Sequence, residues 1–381
     1  MNLILSIAIA VTLFTSAVIV LRFGRIKLRG ADPLPLTAFM AILFTSGLDV
    51  GLIMFPLTEF PIYETEAAYG FTNALAIEFG FWGFLVWAFY FLSTFYFCVV
   101  EPRLKLFEIT WVKLINSAVV IATCAFTGFL FLSYLPSYIE GISDPLRYGL
   151  VACVVLIAVL SSTDIRYVKW LGLSSTALFL GLIALLWLMS GAGMVGLGNS
   201  LANIGGYFAN LPRFTHPVTD YHAFYLFWWF AWSIMIGQFV ARFVGGMAAW
   251  HLLVALLVIP SLPIALWFSV LYIYHINAIE MAGALNACMV IVGIIFVVNS
   301  LDSLTRLYSE NLNLTVTKLS GVGYIATHWI LLFGLILLYQ FTPLKIEWIG
   351  LVVIGLYCAL YALTFMRRDA LKAPLSTEVT T

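Results

Sequence analysis

Eleven apolar runs, each long enough to cross a lipid bilayer as a helix, dominate this 381-residue chain and leave few alternatives for its fold. A spanning helix needs about 20 mostly apolar residues, because hydrocarbon offers no water to peptide groups that lack internal partners. Runs of that kind fall at 3–23, 35–57, 70–99, 112–135, 147–163, 170–191, 221–245, 252–275, 283–300, 324–342 and 346–366. Charged residues are 9% of the chain and hydrophobic ones 63%, whereas soluble domains carry about 25% charge. The pattern predicts an all-α polytopic membrane protein of about 11 helices. It excludes a soluble enzyme, and no nucleic-acid partner is expected.

Loops rich in Lys and Arg face the cytoplasm. With the N-terminus outside and the C-terminus inside, only Arg147, Arg213 and Lys345 of the 18 basic residues fall on the outer side. The first run lacks a basic leader and a small-residue cleavage site, so it reads as a retained helix. The segment EFPIYETEAAYG, from residue 59, reads as an acidic outer loop.

The longest outer connection, residues 192–220, has the apolar spacing of a short interfacial helix. It divides the ten helices after the first into five and five. An odd number forces the second set to start from the opposite side of the membrane, which is the inverted-repeat plan of many transporters. The expected organisation is a leading helix and cytoplasmic loop over 1–30 and a first five-helix repeat over 31–191. The connection at 192–220, a second repeat over 221–366 and a short cytoplasmic tail over 367–381 complete it.

Several polar groups lie inside these runs. TSGLDVGLIMFP holds Gly47, Leu48, Asp49, Gly51 and Pro56. Glycine weakens a helix and proline removes a donor, so an interruption is expected whose carbonyls would coordinate a cation, with Asp49 joining them or carrying a proton. A small-residue packing face is the alternative. The third run places Glu78, Trp82, Trp87 and Tyr90 on about half of one helix circumference, with Glu78 at its outer end. The ninth run ends FVVNSLDS, offering Asn299, Ser300, Asp302 and Ser303 as oxygen ligands for a hard cation such as sodium, with ordinary helix C-terminal residues at the inner surface as the alternative.

The five cysteines lack paired spacing and read as small buried hydrophobes. The histidines lack metal-ligand spacing and read as structural. No Walker A pattern, catalytic dyad or cofactor motif is present, so neither ATP-driven pumping nor a cofactor is expected.

The densest feature is FYLFWWFAWSIMIGQFVAR, Phe224 to Arg242, with Trp228, Trp229 and Trp232 in five positions. It resembles the signature of the betaine/carnitine/choline transporter (BCCT) family, FYxxWWxxWxxxxGxFxAR. The resemblance extends to Arg22–Phe60, to Trp82, Trp87 and Tyr90, to VKWLGLSSTALFLGLIALL, YFANLPRF and WFSV, and to FVVNSLDS against the family's VTSxDS. Family members typically have twelve helices, so the chain is expected to lack the first of them and the charged extensions of osmosensing members. The proline after the third signature tryptophan is absent, Asn299 stands for a threonine, and Asp49 lies two positions early.

The resemblance implies the inverted five-helix repeat of sodium-coupled symporters, a homotrimer, and a bacterial plasma membrane location. It implies an aromatic box of Trp82, Trp87, Tyr90 and Trp229, with Trp228 and Trp232 lining the route or a second position. Gly47, Leu48, Asp49, Gly51, Asn299 and Ser300 would form the ion-coupling site, and Glu78 a counter-ion. A quaternary ammonium has no proton to donate, so cation–π attraction is the available means of holding it. The expected function is alternating-access transport of betaine, choline, carnitine or a similar onium solute, coupled to H+ or Na+. A substrate:product antiporter and a transport-defective sensor or assembly partner are the other readings.

Overall fold

The computed structural model describes residues 1–46, 49–164, 166–281 and 283–372. Gly47 and Leu48, and the end of the tail, lie outside the described residues. Helix α1 (Asn2–Phe23) is followed by three short helices, α2 (Leu36–Ser46), α3 (Val50–Met54) and α4 (Pro56–Thr65). Next come α5 (Ala74–Trp82), α6 (Leu85–Phe95), α7 (Thr110–Tyr138), α8 (Asp144–Ser161) and α9 (Arg166–Ser190). The connection holds α10 (Gly193–Ala202), and the chain continues with α11 (Asp220–Phe243), α12 (Ala249–Val258), α13 (Ser261–Ile276) and α14 (Ala284–Leu312). It ends with α15 (Gly321–Phe341) and α16 (Ile346–Met366). Strand β1 (Lys27–Arg29) pairs antiparallel with β2 (Gly245–Ala248), tying the loop after α1 to the end of α11.

Among the described residues, ten helices are long and apolar enough to cross a membrane. The eleventh expected run, 35–57, is there in pieces as α2, α3 and α4. Burial ranks the helices: the most apolar window of α11 is 83% buried, while those of α1, α8 and α16 are 28% buried. The aromatic signature helix is therefore the centre of the bundle, and the apolar outer helices turn most of their surface outward.

Four expectations are corrected. The 59–65 part of the supposed acidic loop is helix α4, and Glu59 is 1% exposed. The run at 283–300 does not end at FVVNSLDS; α14 continues to Leu312, because Asp302 is satisfied by Arg306 one turn on. The third run is not one continuous helix but breaks at Gly83 and Phe84. Of the cysteines, Cys98 and Cys124 are buried, but Cys153 and Cys358 are exposed on the outer helices α8 and α16, and Cys288 is half-buried. An apolar side chain facing hydrocarbon needs no protein cover.

Helix α11 crosses α6 at Gly237. A Cβ there would lie 2.1 Å from Ser93 Oγ and 2.8 Å from the Ser93 carbonyl carbon. Ser93 cannot swing aside freely, because its hydroxyl donates to the Ser233 carbonyl at 2.7 Å. Gly237→Ala is expected to cost about 1–3 kcal/mol, the usual range for overpacking. Gly334 on α15 has open space around it, so Gly334→Ala should instead gain up to about 1 kcal/mol of helix propensity. Thermal unfolding in detergent compares the two, and equal shifts would deny the close crossing.

Candidate functional site

Two helix breaks face each other near the middle of the bundle, and neighbouring side chains satisfy the backbone groups each one frees. Gly83 is extended (φ −109, ψ 169) and Phe84 takes a left-handed φ of 47. The Phe81 carbonyl accepts from the Trp229 indole N–H at 2.6 Å, and the Trp82 carbonyl from the Trp87 indole at 3.2 Å. The Phe84 amide donates to Ser261 Oγ at 2.8 Å and the Leu85 amide to the Tyr207 hydroxyl at 3.2 Å. Unpaired peptide groups at this depth cost several kcal/mol, so these four bonds are what make the break tolerable.

The break also decides the aromatic geometry. It resets the helical phase, so Trp82 on α5 and Trp87 and Tyr90 on α6 do not share one helix face as 100° spacing suggested. Trp82 stands edge-on to Trp229 (5.1 Å, 76°) and to Trp228 (5.3 Å, 82°). Trp228 and Trp229 stack at 5.1 Å. Trp87 and Tyr90 form a separate perpendicular pair at 5.1 Å, joined to the first group through the Trp87 bond to Trp82. All five rings are buried, as is Trp232. The indole N–H groups of Trp82, Trp228 and Trp232 have no hydrogen-bond partner among the described residues.

The second break lies between α2 and α4. Asp49 is extended (φ −116, ψ 161) and caps α3, its Oδ1 accepting from the Gly51 amide at 2.9 Å and its Oδ2 from the Thr127 hydroxyl at 3.4 Å. Pro56 brings no N–H for the Leu52 carbonyl, and the Trp267 indole takes that place at 2.7 Å. The Met54 carbonyl accepts from the Tyr138 hydroxyl at 2.8 Å. Gly51 touches the aromatic group: a Cβ on it would lie 2.7 Å from the Trp82 ring and 3.1 Å from that of Trp228. Helix interruption and aromatic cluster are thus one packed unit.

Asn299 and Ser300 stand inside α14, with no hydrogen bond to Asp49 or Gly51 among the described residues. Beyond them, Asp302 is fully buried and bonded to Ser161 Oγ at 2.8 Å and to Arg306 at 3.1 Å. Arg306 also donates to the carbonyls of Ser161 and Asp164, at 2.6 and 2.7 Å, closing the C-terminal end of α8. A guanidinium suits that end because the last carbonyls of a helix carry partial negative charge.

Glu78 is fully buried in the protein, and beside it lies a cluster the sequence reading missed. Tyr63 Oη is 2.6 Å from Glu59 Oε2 and 2.8 Å from Glu78 Oε2. Tyr225 donates to Glu59 at 2.8 Å, and Tyr221 bonds the same carboxyl. The available signal was Glu59 and Tyr63 one helical turn apart in an apolar setting, which an assumed loop had hidden.

A family model described as BCCT, betaine/carnitine/choline family transporter, matches residues 2–284. The chain is 27% identical over 334 residues to the glycine betaine transporter of Bacillus subtilis, covering 73% of this chain and 64% of that one. It is 26% identical over 300 residues to an uncharacterised transporter of Mycobacterium tuberculosis, covering 65% and 50%. It is 27% identical over 296 residues to the high-affinity choline transport protein of Escherichia coli, covering 65% and 43%. The chain spans about half the length of the curated relatives it matches. Among solved structures, a substrate-bound outward-open Na+-coupled sialic acid symporter aligns with a TM-score of 0.48 and 14% identity, over 97% of this chain and 84% of that one.

Proposed function

Since the chain belongs to the betaine/carnitine/choline transporter family, a family of multi-pass membrane transporters, we propose that it moves small quaternary-ammonium solutes by alternating access. The observation that carries this reading is the buried cluster of Trp82, Trp228 and Trp229, whose Trp82 and Trp228 rings pack against Gly51 at a double helix break. Aromatic faces in a dry setting attract an onium group by about 2 kcal/mol or more. In this reading Trp82 and Trp229 hold the head group, Trp87 and Tyr90 close the site from α6, and Trp228 and Trp232 line the approach. Two five-helix sets, 31–191 and 221–366, form inverted repeats around it. The homotrimer and the plasma membrane location belong to the same reading and rest on family resemblance alone.

Uptake of labelled betaine, choline and carnitine into proteoliposomes tests the proposal. Saturable uptake by any of them supports it, and binding without flux would favour the sensor reading. The driving ion is a proton or sodium. The carboxylate capping α3 supports Asp49 as the group that titrates or coordinates, with Gly47, Leu48, Gly51, Asn299 and Ser300 supplying further oxygens. Asp49→Asn is expected to remove acceleration of uptake by an inward proton gradient. Acid stimulation that survives in this variant would take the proton away from Asp49.

A further inference from the structure

Hydrogen counting at Glu59, Tyr63 and Glu78 places a proton in the bundle apart from Asp49. A phenol carries one hydrogen, yet Tyr63 Oη lies 2.6 Å from Glu59 Oε2 and 2.8 Å from Glu78 Oε2. Tyr63 donates in only one of these contacts. Were both carboxyls ionised, the other would set lone pair against lone pair in a site where the two residues are 1% and 0% exposed. One carboxyl therefore supplies the second hydrogen. Glu59 is the acceptor, because Tyr221 and Tyr225 also direct their hydroxyls at it. Glu78 receives no tyrosine hydroxyl besides Tyr63; its Oε1 is without a hydrogen-bond partner among the described residues, although the Trp82 indole N–H is turned toward this side chain. The proton thus sits on Glu78, which donates to Tyr63, which donates to Glu59.

Among the described residues, no fixed cation stands against this pair. Around it stand Tyr69, Tyr134 from α7, and Tyr221 and Tyr225 from α11. His222 stacks on Phe81 and accepts from the Val218 amide, His275 of α13 pairs with Glu64, and Arg213 lies over the Phe71 ring. Among the described residues, neither carboxyl is ion-paired with a basic group.

An independent feature points from the acid pair to the aromatic cluster. Trp82, 1% exposed, has an indole N–H without a hydrogen-bond partner, and that N–H faces Glu78 one turn earlier. Tyr225 bridges the same gap, with its hydroxyl on Glu59 and its ring 5.6 Å from Trp82 and 5.8 Å from Trp228. A cation arriving at these rings acts on the pair through a low-dielectric interior, where charges interact strongly, and favours the ionised carboxyl.

The geometry points to Glu59, Tyr63 and Glu78 as a proton-binding site that gives up its proton when a cationic substrate group occupies the tryptophan cluster. The Glu78 O–H bond breaks, its electron pair stays on the carboxylate, and the proton leaves through Tyr63, Glu59 and half-buried Tyr221 to water. The substrate arm of this inference rests on the onium reading of the cluster. By linkage, choline affinity rises with pH, at most tenfold per unit for one proton.

Two measurements on the full chain in detergent separate this inference from that reading. Infrared spectra of the substrate-free protein should contain the carbonyl band of a protonated buried carboxyl. Glu78→Gln should remove that band, and Tyr63→Phe should shift it by deleting its acceptor. A wild-type spectrum without the band overturns the proton site, as does a band that Glu78→Gln leaves intact or Tyr63→Phe leaves unmoved. Choline added in weak buffer with an indicator dye should release about one proton per molecule bound, and Glu78→Gln should abolish that release. Choline binding without proton release, or release that survives in Glu78→Gln, overturns the coupling. Failure of choline, betaine and carnitine to bind at all, with the carboxyl band present, overturns the onium reading and leaves the proton site standing.

Discussion

Replacing Trp229 with alanine is expected to weaken choline binding roughly a hundredfold. The side chain does two things at once: its face stacks with Trp228 and meets the edge of Trp82, and its N–H satisfies the Phe81 carbonyl at the break. Losing the face removes about 2 kcal/mol of cation–π attraction. Losing the buried hydrogen bond adds about 1 kcal/mol, and each 1.4 kcal/mol is about tenfold in affinity. Titration calorimetry in detergent measures it. Trp229→Phe keeps a ring but no donor, so its affinity should fall between wild type and alanine. Unchanged affinity in the alanine variant would remove Trp229 from the site, and equal losses in both variants would assign its role to the carbonyl cap.

Arg306→Ala is expected to lower stability by about 3–5 kcal/mol, the cost of stranding a buried carboxylate without its partner. Asp302 is 0% exposed, and among the described residues only Ser161 Oγ would still bond it. The two carbonyls that close α8 would lose their donor as well. The adjacent Asp164 side chain is no substitute, because it is turned to Arg166, whose hydrogen bonds hold its carboxyl at about 2. Thermal unfolding of Arg306→Ala, of Asp302→Asn and of the two combined forms a double-mutant cycle. The double variant should recover part of the loss. Strict additivity would mean that the two side chains do not act as a pair.

Much of the fold was legible from apolar run length alone. Ten of the eleven runs lie in helices capable of spanning, because the bilayer length and the demand for paired peptide groups admit few solutions. The interruption around Asp49 was legible too, since Gly51 and Pro56 are local causes that act whatever surrounds them. The break at Gly83 and Phe84 was not. A lone glycine in an apolar run is ordinary, and this one breaks the helix with partners from Trp229, Ser261 and Tyr207, far along the chain. The same limit hid Glu59, whose bonds to Tyr221 and Tyr225 span more than 160 residues.

By itself the sequence determined the solvent this protein folds in, the number of runs able to cross it, and the aromatic density of Phe224–Arg242. Those properties follow from composition and spacing, which are additive along the chain. The tertiary structure decided which rings meet, where the helix phase resets, and that Glu59 and Glu78 share one tyrosine hydroxyl. These are contacts between residues distant in sequence, and their energies depend on burial and on hydrogen bonds that only the packed bundle supplies.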